Sequence, residues 1–337
     1  MKVKSAILLV GGMGTRMQPL TFTTPKPMLK VAGIPVTEHQ IVKAAQAGIE
    51  EIVLATSYMS EIFKPYFGDG ENFGIKISYA VEKTALGTGG AIRNAAKLLS
   101  GSGPVMIFNG DVLSSHSLVE QIEFHEKNNA DITLYLTKVP DARAFGSVEL
   151  DHENRILTFN EKMDNPPTNI INAGCYIFNR NIIDSIPVDT VVSVERETFP
   201  NVLSSGGRVC GFVDESYWLD IGSPAAFLQA TRDLIEGRAS SPAFSRDFDE
   251  RKIFSDGENF AHGLGVVIEE PSTITEGSYL GDEVIIGARS TIKNCIVGER
   301  AKIGENSTLI DCFIAPDFEI PASTIADSAF FGFSADK

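Results

Sequence analysis

At 337 residues, 43% hydrophobic and 22% charged, the chain can bury ordinary cores and is long enough for two domains. Its 44 acidic against 29 basic side chains give a formal net charge of −15, a field that repels nucleic-acid backbones and anionic membranes. No nucleic-acid or membrane partner is therefore expected, and an anionic substrate has to be met by a few local cations.

In chain order, "SAILLV" reads as a strand and "TEHQIVKAAQAG" as a helix stopped by Gly48. "EEIVLAT" is a strand, residues 61–67 a short helix, and "IKISYAV" a strand. "GGAIRNAAKLL" is a helix opening on glycines, and "PVMIF" is a strand. This βαβ rhythm predicts a mostly parallel α/β sheet. "DITLYLTKV", "GSVELDHENRILTFNEK" and "INAGCYIFN" read as longer, antiparallel strands of a substrate-facing subdomain. The expected catalytic domain is 1–236.

Residues 237–263 lack periodicity and read as a linker. Residues 264–337 carry a repeat. Apolar residues recur at Ile274, Leu280, Ile286, Ile292, Val297, Ile303, Leu309, Ile314, Ile320 and Ile325, at steps of six or five, and glycine follows several of them. "STIKNCIVGERAKIGEN" and "STLIDCFIAPDFEIPAS" are successive matching segments. The pattern is that of a hexapeptide-repeat left-handed β-helix, with the steps of five as tight corners.

Cys175, Cys210, Cys295 and Cys312 show no CxxC spacing and are expected as buried thiols in a reducing compartment. The run "AILLV" is too short for a signal-peptide core, and no later run reaches a membrane span. A cytoplasmic protein is the expectation.

The stretch "GGMGTRMQPLTFTTPKPM" follows the first strand. Gly11, Gly12 and Gly14 allow positive φ and a close approach of backbone N–H groups to phosphate oxygens. Glycines alone fit a plain tight turn equally well, and no Walker A sequence is present. Arg16 follows the loop, and Lys26 is held between Pro25 and Pro27, which fix the backbone and exclude a helix. Two placed cations beside an N–H cradle suit a triphosphate.

With those residues the chain resembles the sugar-1-phosphate nucleotidylyltransferases, whose usual form is GGxGTRLxPLTxxxPKPM. The resemblance continues along nearly the whole chain, and within the family it is closest to bacterial mannose-1-phosphate guanylyltransferases. It implies a Rossmann-like nucleotidyltransferase domain with a mixed, mostly parallel sheet, followed by the β-helix. Val10, Gly11, Gly12, Gly14, Thr15, Arg16 and Lys26 would then bind the nucleotide. "EKTALGTGGAIR" matches the base-binding loop and its helix, implicating Glu82, Gly87 and Thr88. "FNGDVL" adds Asn109, Gly110 and the metal-binding Asp111. "AFGSVELD", "FNEK", "INAGCYIF" and "VSVERETFP" imply sugar-phosphate contacts from Gly146, Glu161, Lys162, Asn172 and Glu195. "YWLDIGSP" carries a second metal aspartate, Asp220. Met13 and the Gly89–Gly90 pair depart from the usual pattern.

Nucleotidyl transfer brings two anions together, so its barrier is electrostatic and orientational. Arg16, Lys26, Asp111 and Lys162 are the expected catalytic residues. Asp111 and Asp220 are hard oxygen ligands suited to Mg²⁺; a capping or turn aspartate is the other reading of either one taken alone. Lys162 read alone is an exposed lysine. Guanine presents adjacent N1–H and N2–H donors that one carboxylate accepts together, so Glu82 leans toward GTP, with solvated loop acid as its other reading. None of the five histidines lies in the repeat from Ile274 onward, which argues against acyl transfer there. Trp218 is expected to pack beneath the site. The leading reading is transfer from GTP to a hexose 1-phosphate, mannose 1-phosphate above all, by a homo-oligomer joined through the β-helix. The alternatives are glucose 1-phosphate with dTTP or UTP, a silent regulatory subunit that binds nucleotide sugar, and a metal-dependent glycosyltransferase.

Overall fold

The apolar runs of the first hundred residues line up as a parallel sheet in the computed structural model, which describes residues 2–57, 59–82, 84–160, 162–244, 254–255 and 260–335. The chain forms two compact units: Met1–Gly12, Gln40–Val112 and His116–Trp218 in the first; Met13–His39, Leu113–Ser115 and Leu219–Lys337 in the second.

The first unit holds nine strands: β1 (Ser5–Leu9), β2 (Glu51–Thr56), β3 (Lys76–Val81), β4 (Val105–Asn109), β5 (Ile132–Lys138), β6 (Ser147–Leu150), β7 (Ile156–Asn160), β8 (Ile170–Phe178) and β9 (Val209–Val213). They form one sheet in the order β7-β6-β8-β4-β1-β2-β3, with β5 between β8 and β9. β1 to β4 are mutually parallel where they pair. β8 runs antiparallel to them: its second half pairs β4, its first half meets β6, and its other edge carries β5. The strand β9, not among the expected elements, adds to β5 in parallel.

Sequence explains the two textures. Parallel strands are covered on both faces and read as unbroken apolar runs, as in β1, where Ser5 to Leu8 are all buried. Ile7, Val53, Ile107, Leu134, Tyr176, Phe178 and Phe199 share one core, each large aliphatic worth about 1.5–3 kcal/mol over exposure. Helix α1 (Val36–Gln46) gives way to Gly48 at φ 86°, and α2 (Gly87–Ala95) opens on Gly87 at φ 70°, two residues before the expected start. In α3 (Leu118–Lys127) the Ser117 hydroxyl accepts from Glu120 N–H. Among the described residues no helix is long and apolar enough to cross a membrane.

From β1 the chain moves to β2 and β3 on one side and then crosses to β4 on the other. The strand order reverses between β1 and β4, and ligands of open α/β sheets bind beyond the carboxyl ends of strands at such a point.

In the second unit, helix α4 (Pro224–Ile235) starts with Ser223 capping Ala226 N–H and proline in its first turn. The left-handed β-helix follows, with three faces of parallel strands. Ile274, Ile292 and Leu309 stack in register, as do Ile286, Ile303 and Ile320, and Leu280 with Val297. Each coil is 17 or 18 residues long, its steps of five and six turning at left-handed corners such as Glu283, Arg289, Asn294 and Asp311. The expected tenth rung, Ile325, is displaced. Leu309 stands opposite Ala326, and Ile325 opposite Thr308. A one-residue slip moves a side chain to the other face of a strand, so Ile325 is 83% exposed.

Of the 237–263 stretch, residues 245–253 and 256–259 lie outside the described residues. Before that gap Arg238 pairs with Asp233 at 2.7 Å, and beyond it Phe260–His262 already runs parallel to Ser278–Leu280.

Candidate active site

In the first unit the loop after β1 and the turn after β4 flank the reversal point. Val10 is buried and donates its N–H to Ala55 O at 3.0 Å. Gly12 adopts φ 121°, a region closed to other residues, and a Cβ there would meet nothing within 4 Å. Its backbone is thus open to a ligand. Gly110 lies so close to β1 that a Cβ would sit 2.4 Å from Leu9 O, the same oxygen its N–H donates to at 2.9 Å. Asp111, half-buried, follows in that turn.

Asn109 packs against Gly174, whose φ is 77°; a Cβ there would stand 2.8 Å from Asn109 Nδ2. The Asn109 side chain also lies near the Tyr176 hydroxyl. Asn172 Nδ2 donates to that hydroxyl at 2.8 Å, and its Oδ1 accepts from Gly174 N–H at 3.2 Å. Burial holds the Tyr176 phenol protonated, with the Glu195 charge acting in the same direction. Tyr176 thereby lies between Asn109, expected on the nucleotide, and Asn172, expected on the sugar. It stands within the INAGCYIF motif, which pointed to Asn172 and not to the tyrosine.

Glu82 follows β3 and donates its N–H to Thr56 O at 2.9 Å. Its Oε1 is buried and has no partner among the described residues. Desolvation raises the carboxyl pKa, opposed by a backbone N–H from Leu86. An unmet buried carboxylate oxygen is costly, and a ligand with paired donors would satisfy it.

The glycines opening α2 allow close packing. Cβ atoms at Gly87 and Gly90 would stand 2.6 Å from Val192 O and 2.5 Å from Thr190 O. That approach sets Thr88 beside Glu195: Thr88 Oγ1 donates to Glu195 Oε2 at 3.1 Å and accepts from Val194 N–H at 2.9 Å. Ser193 Oγ donates to the same carboxylate oxygen at 3.0 Å. Glu195 is thus fixed by Thr88 and by Ser193, which the sequence did not single out.

Gly146 O accepts the Asn172 N–H at 2.9 Å, and a Cβ on Gly146 would stand 2.9 Å from the Phe159 ring. Lys162 is exposed. Glu161 lies outside the described residues. Trp218 donates its Nε1–H to Ala173 O at 2.9 Å and meets Phe145 edge-to-face at 5.3 Å, a packing role as expected.

In the second unit Gly14 takes φ 58°, and its carbonyl accepts from Thr21 Oγ1 at 2.9 Å. A Cβ on Gly14 would stand 3.0 Å from Lys26 Cβ, so glycine lets the lysine stem lie against the loop. Thr15 and Arg16 are exposed on a 3₁₀ turn anchored by buried Met17. Pro25 and Pro27 are buried, and Thr37 Oγ1 donates to Pro27 O at 2.9 Å. Lys26 is therefore fixed at its base. Asp220 ends the strand Trp218–Asp220, half-buried, with Gly222 leaving room beside its carboxylate. The same unit encloses a mostly apolar cavity of about 470 Å³, lined among others by Leu20, Met28, Phe227, Tyr279 and Phe313; none of the expected site residues lines it.

Mg²⁺ takes one or two carboxylates and completes its shell with water and phosphate oxygens. Asp111 in the first unit and Asp220 in the second are each a half-buried carboxylate of the hard-oxygen kind such an ion takes. Among the described residues no cluster of three or more His, Cys, Asp or Glu side chains forms a closed protein cage.

The family described as Nucleotidyl transferase matches residues 5–237. A mannose-1-phosphate guanylyltransferase of Mycobacterium tuberculosis is 44% identical over 297 residues, covering 87% of this chain and 82% of its own. Mannose-1-phosphate guanylyltransferase 1 of Arabidopsis thaliana is 36% identical, with coverages of 83% and 76%. Among solved structures, HddC from Yersinia pseudotuberculosis superposes with a TM-score of 0.58 at 29% identity, over 68% of this chain and 98% of that one. It has also been solved in complex with GMP-PN. A putative glucose-1-phosphate thymidylyltransferase from Bacillus anthracis gives 0.61 at 22% identity, over 67% of this chain and 93% of that one, a likeness of fold.

Proposed function

The chain belongs to the nucleotidyl transferase family, and from that premise we propose that it joins GTP and mannose 1-phosphate into GDP-mannose, releasing pyrophosphate. A phosphate oxygen of the sugar attacks the α-phosphorus in line as the bond to the β-phosphate breaks. No covalent enzyme intermediate is required. The work of the protein is to bind two anions, orient them and neutralise charge.

Backbone N–H groups of Gly11 and Gly12 meet the phosphates, with Arg16 and Lys26 supplying positive charge to the triphosphate. Lys162 meets the sugar phosphate. Gly146, Glu161, Asn172 and Glu195 hold the sugar, Glu195 oriented by Thr88 and Ser193. Asp111 and Asp220 would hold Mg²⁺, which when bound neutralises charge on the phosphates. Asn109 and Gly110 set the turn that carries Asp111. The four cysteines are buried and unpaired, which supports a reducing, cytoplasmic setting. The β-helix would join copies into a homo-oligomer, to be read by light scattering.

The observation that carries the choice of base is the Glu82 carboxylate, whose buried Oε1 has no partner among the described residues. Guanine, with donors at N1 and N2, suits it; adenine and the pyrimidines offer a single donor between or beside acceptors. The test is pyrophosphate release with Mg²⁺, crossing GTP, ATP, UTP, CTP and dTTP with mannose and glucose 1-phosphates. The expected maximum is GTP with mannose 1-phosphate. A maximum with dTTP or UTP and glucose 1-phosphate would overturn the substrates and keep the reaction. No release from any pair by folded protein would overturn catalysis in favour of a silent subunit.

A further inference from the structure

We infer that Gln40 is a positioning residue for Asp111, holding the turn that presents this carboxylate to the metal. Gln40 lies on α1 and is buried. Its Nε2 donates to Asn109 O at 2.7 Å and to Val112 O at 3.0 Å. These carbonyls bracket Gly110 and Asp111, so one amide group closes both ends of the turn. Neither carbonyl is a free surface group: Asn109 ends β4, and Val112 begins the short strand Val112–Ser114.

The rest of the turn is fixed from other sides. Gly110 N–H is bound to Leu9 O, and the Asn109 side chain packs against Gly174. Asp111 stands between these restraints. Gln40 spends both amide protons on the turn and leaves its own Oε1 buried without a partner among the described residues. A methionine of similar size would carry no unmet acceptor there. The amide is therefore placed for the two carbonyls of the turn that carries Asp111, and not for apolar packing. Groups that orient a metal ligand typically control metal affinity by 10–100-fold.

This inference rests on the reading of Asp111 as a metal carboxylate, so Asp111→Asn is measured beside Gln40→Met and the milder Gln40→Asn. Mn²⁺ binding is followed by electron paramagnetic resonance with GTP present and no sugar phosphate. Mg²⁺ half-saturation, KM for mannose 1-phosphate and Tm are recorded on the same full-length proteins. Gln40→Met is expected to weaken Mn²⁺ binding about tenfold and raise the Mg²⁺ requirement by a similar factor, with KM for mannose 1-phosphate unchanged. Gln40→Asn keeps the donors but is one methylene short of spanning both carbonyls, and it should fall between Gln40→Met and the native protein. Native Mn²⁺ affinity in a folded Gln40→Asn or Gln40→Met overturns the inference, including the case where Tm or activity falls and metal binding does not. If Asp111→Asn loses Mn²⁺ while the Gln40 variants keep it, only the role of Gln40 falls. If Asp111→Asn binds Mn²⁺ normally, the metal reading and this inference fall together.

Discussion

Two sets of glycines, one in the sheet unit and one in the coils of the β-helix, do opposite work. In the sheet unit Gly12, Gly87 and Gly174 adopt positive φ, in the loop after β1, at the start of α2 and at the register shift within β8. In the β-helix Gly281, Gly287, Gly298 and Gly304 do not; a Cβ on them would stand 2.3–2.7 Å from a backbone nitrogen of the next coil. Positive φ there falls on corner residues such as Glu283, Arg289, Arg300, Asn306, Asp317 and Ser323, which accept a strain of about 1–2 kcal/mol each. Those corner side chains also bridge coils, Arg300 to Asp317 and Arg289 to Asn306, each at 2.7 Å. In the solenoid, shape comes from repetition, and each glycine serves the coil beside it. In the sheet unit, single residues serve chemistry once each. Damage to one should be read in catalysis, and damage to the other in stability.

The sharpest break between the two is Asp111→Asn. A carboxylate that would hold a cation on the phosphates should cost on the order of 10³ in turnover, about 4 kcal/mol of barrier, while Tm moves by no more than a few degrees. Steady-state pyrophosphate release and calorimetry on one preparation decide it. A loss of Tm in proportion to activity would mean that the turn is structural and the contrast false.

Gly304→Ala is the counterpart in the solenoid. Its new methyl group would stand 2.3 Å from Ala322 N, a backbone atom that moves only with its coil. Overpacking of this kind costs about 1–3 kcal/mol or somewhat more, so the upper end is expected, as a lowered midpoint in urea unfolding. A change within about 0.5 kcal/mol would show that the coils adjust freely and that the glycines are not packing residues.

How much of this was legible follows the same division. The β-helix was plain because its signal repeats every 17 residues, so three faces and their inward rungs could be counted. The count failed at Ile325, where the next coil places Ala326 inward; alanine is too small to stand out from an exposed residue in sequence. The strands of the sheet were legible as apolar runs. The double use of β8 and the parallel placing of β9 were not, because pairing depends on contacts far apart in sequence. In the site, Arg16, Lys26 and the glycines stand in one stretch and declare themselves by spacing. Gln40 has no such mark. It is one polar residue on a helix, 69 positions from the Asn109 carbonyl it holds. Tyr176 and Ser193 were hidden likewise, their polar ends turned inward to Asn172 and Glu195.

Glu82→Gln should give the smallest and most selective effect. The native carboxylate accepts two donors in the guanine-reading pose, whereas glutamine offers one acceptor and one donor group. A bidentate pair of this kind is worth about 1–3 kcal/mol of discrimination, so preference for GTP over ATP should fall by roughly 5- to 150-fold, with Tm and the KM for mannose 1-phosphate unchanged. The pH dependence gives a second arm. Desolvation raises the Glu82 pKa, so the residue takes up a proton at a higher pH than an ordinary glutamate, and the protonated form no longer accepts at both oxygens. KM for GTP should therefore rise as pH falls through that raised pKa and recover above it. Glu82→Gln, with no proton to take up, should lose this pH limb. If the variant keeps both the GTP preference and the limb, the base is read elsewhere, and the unmet Oε1 of Glu82 has another use.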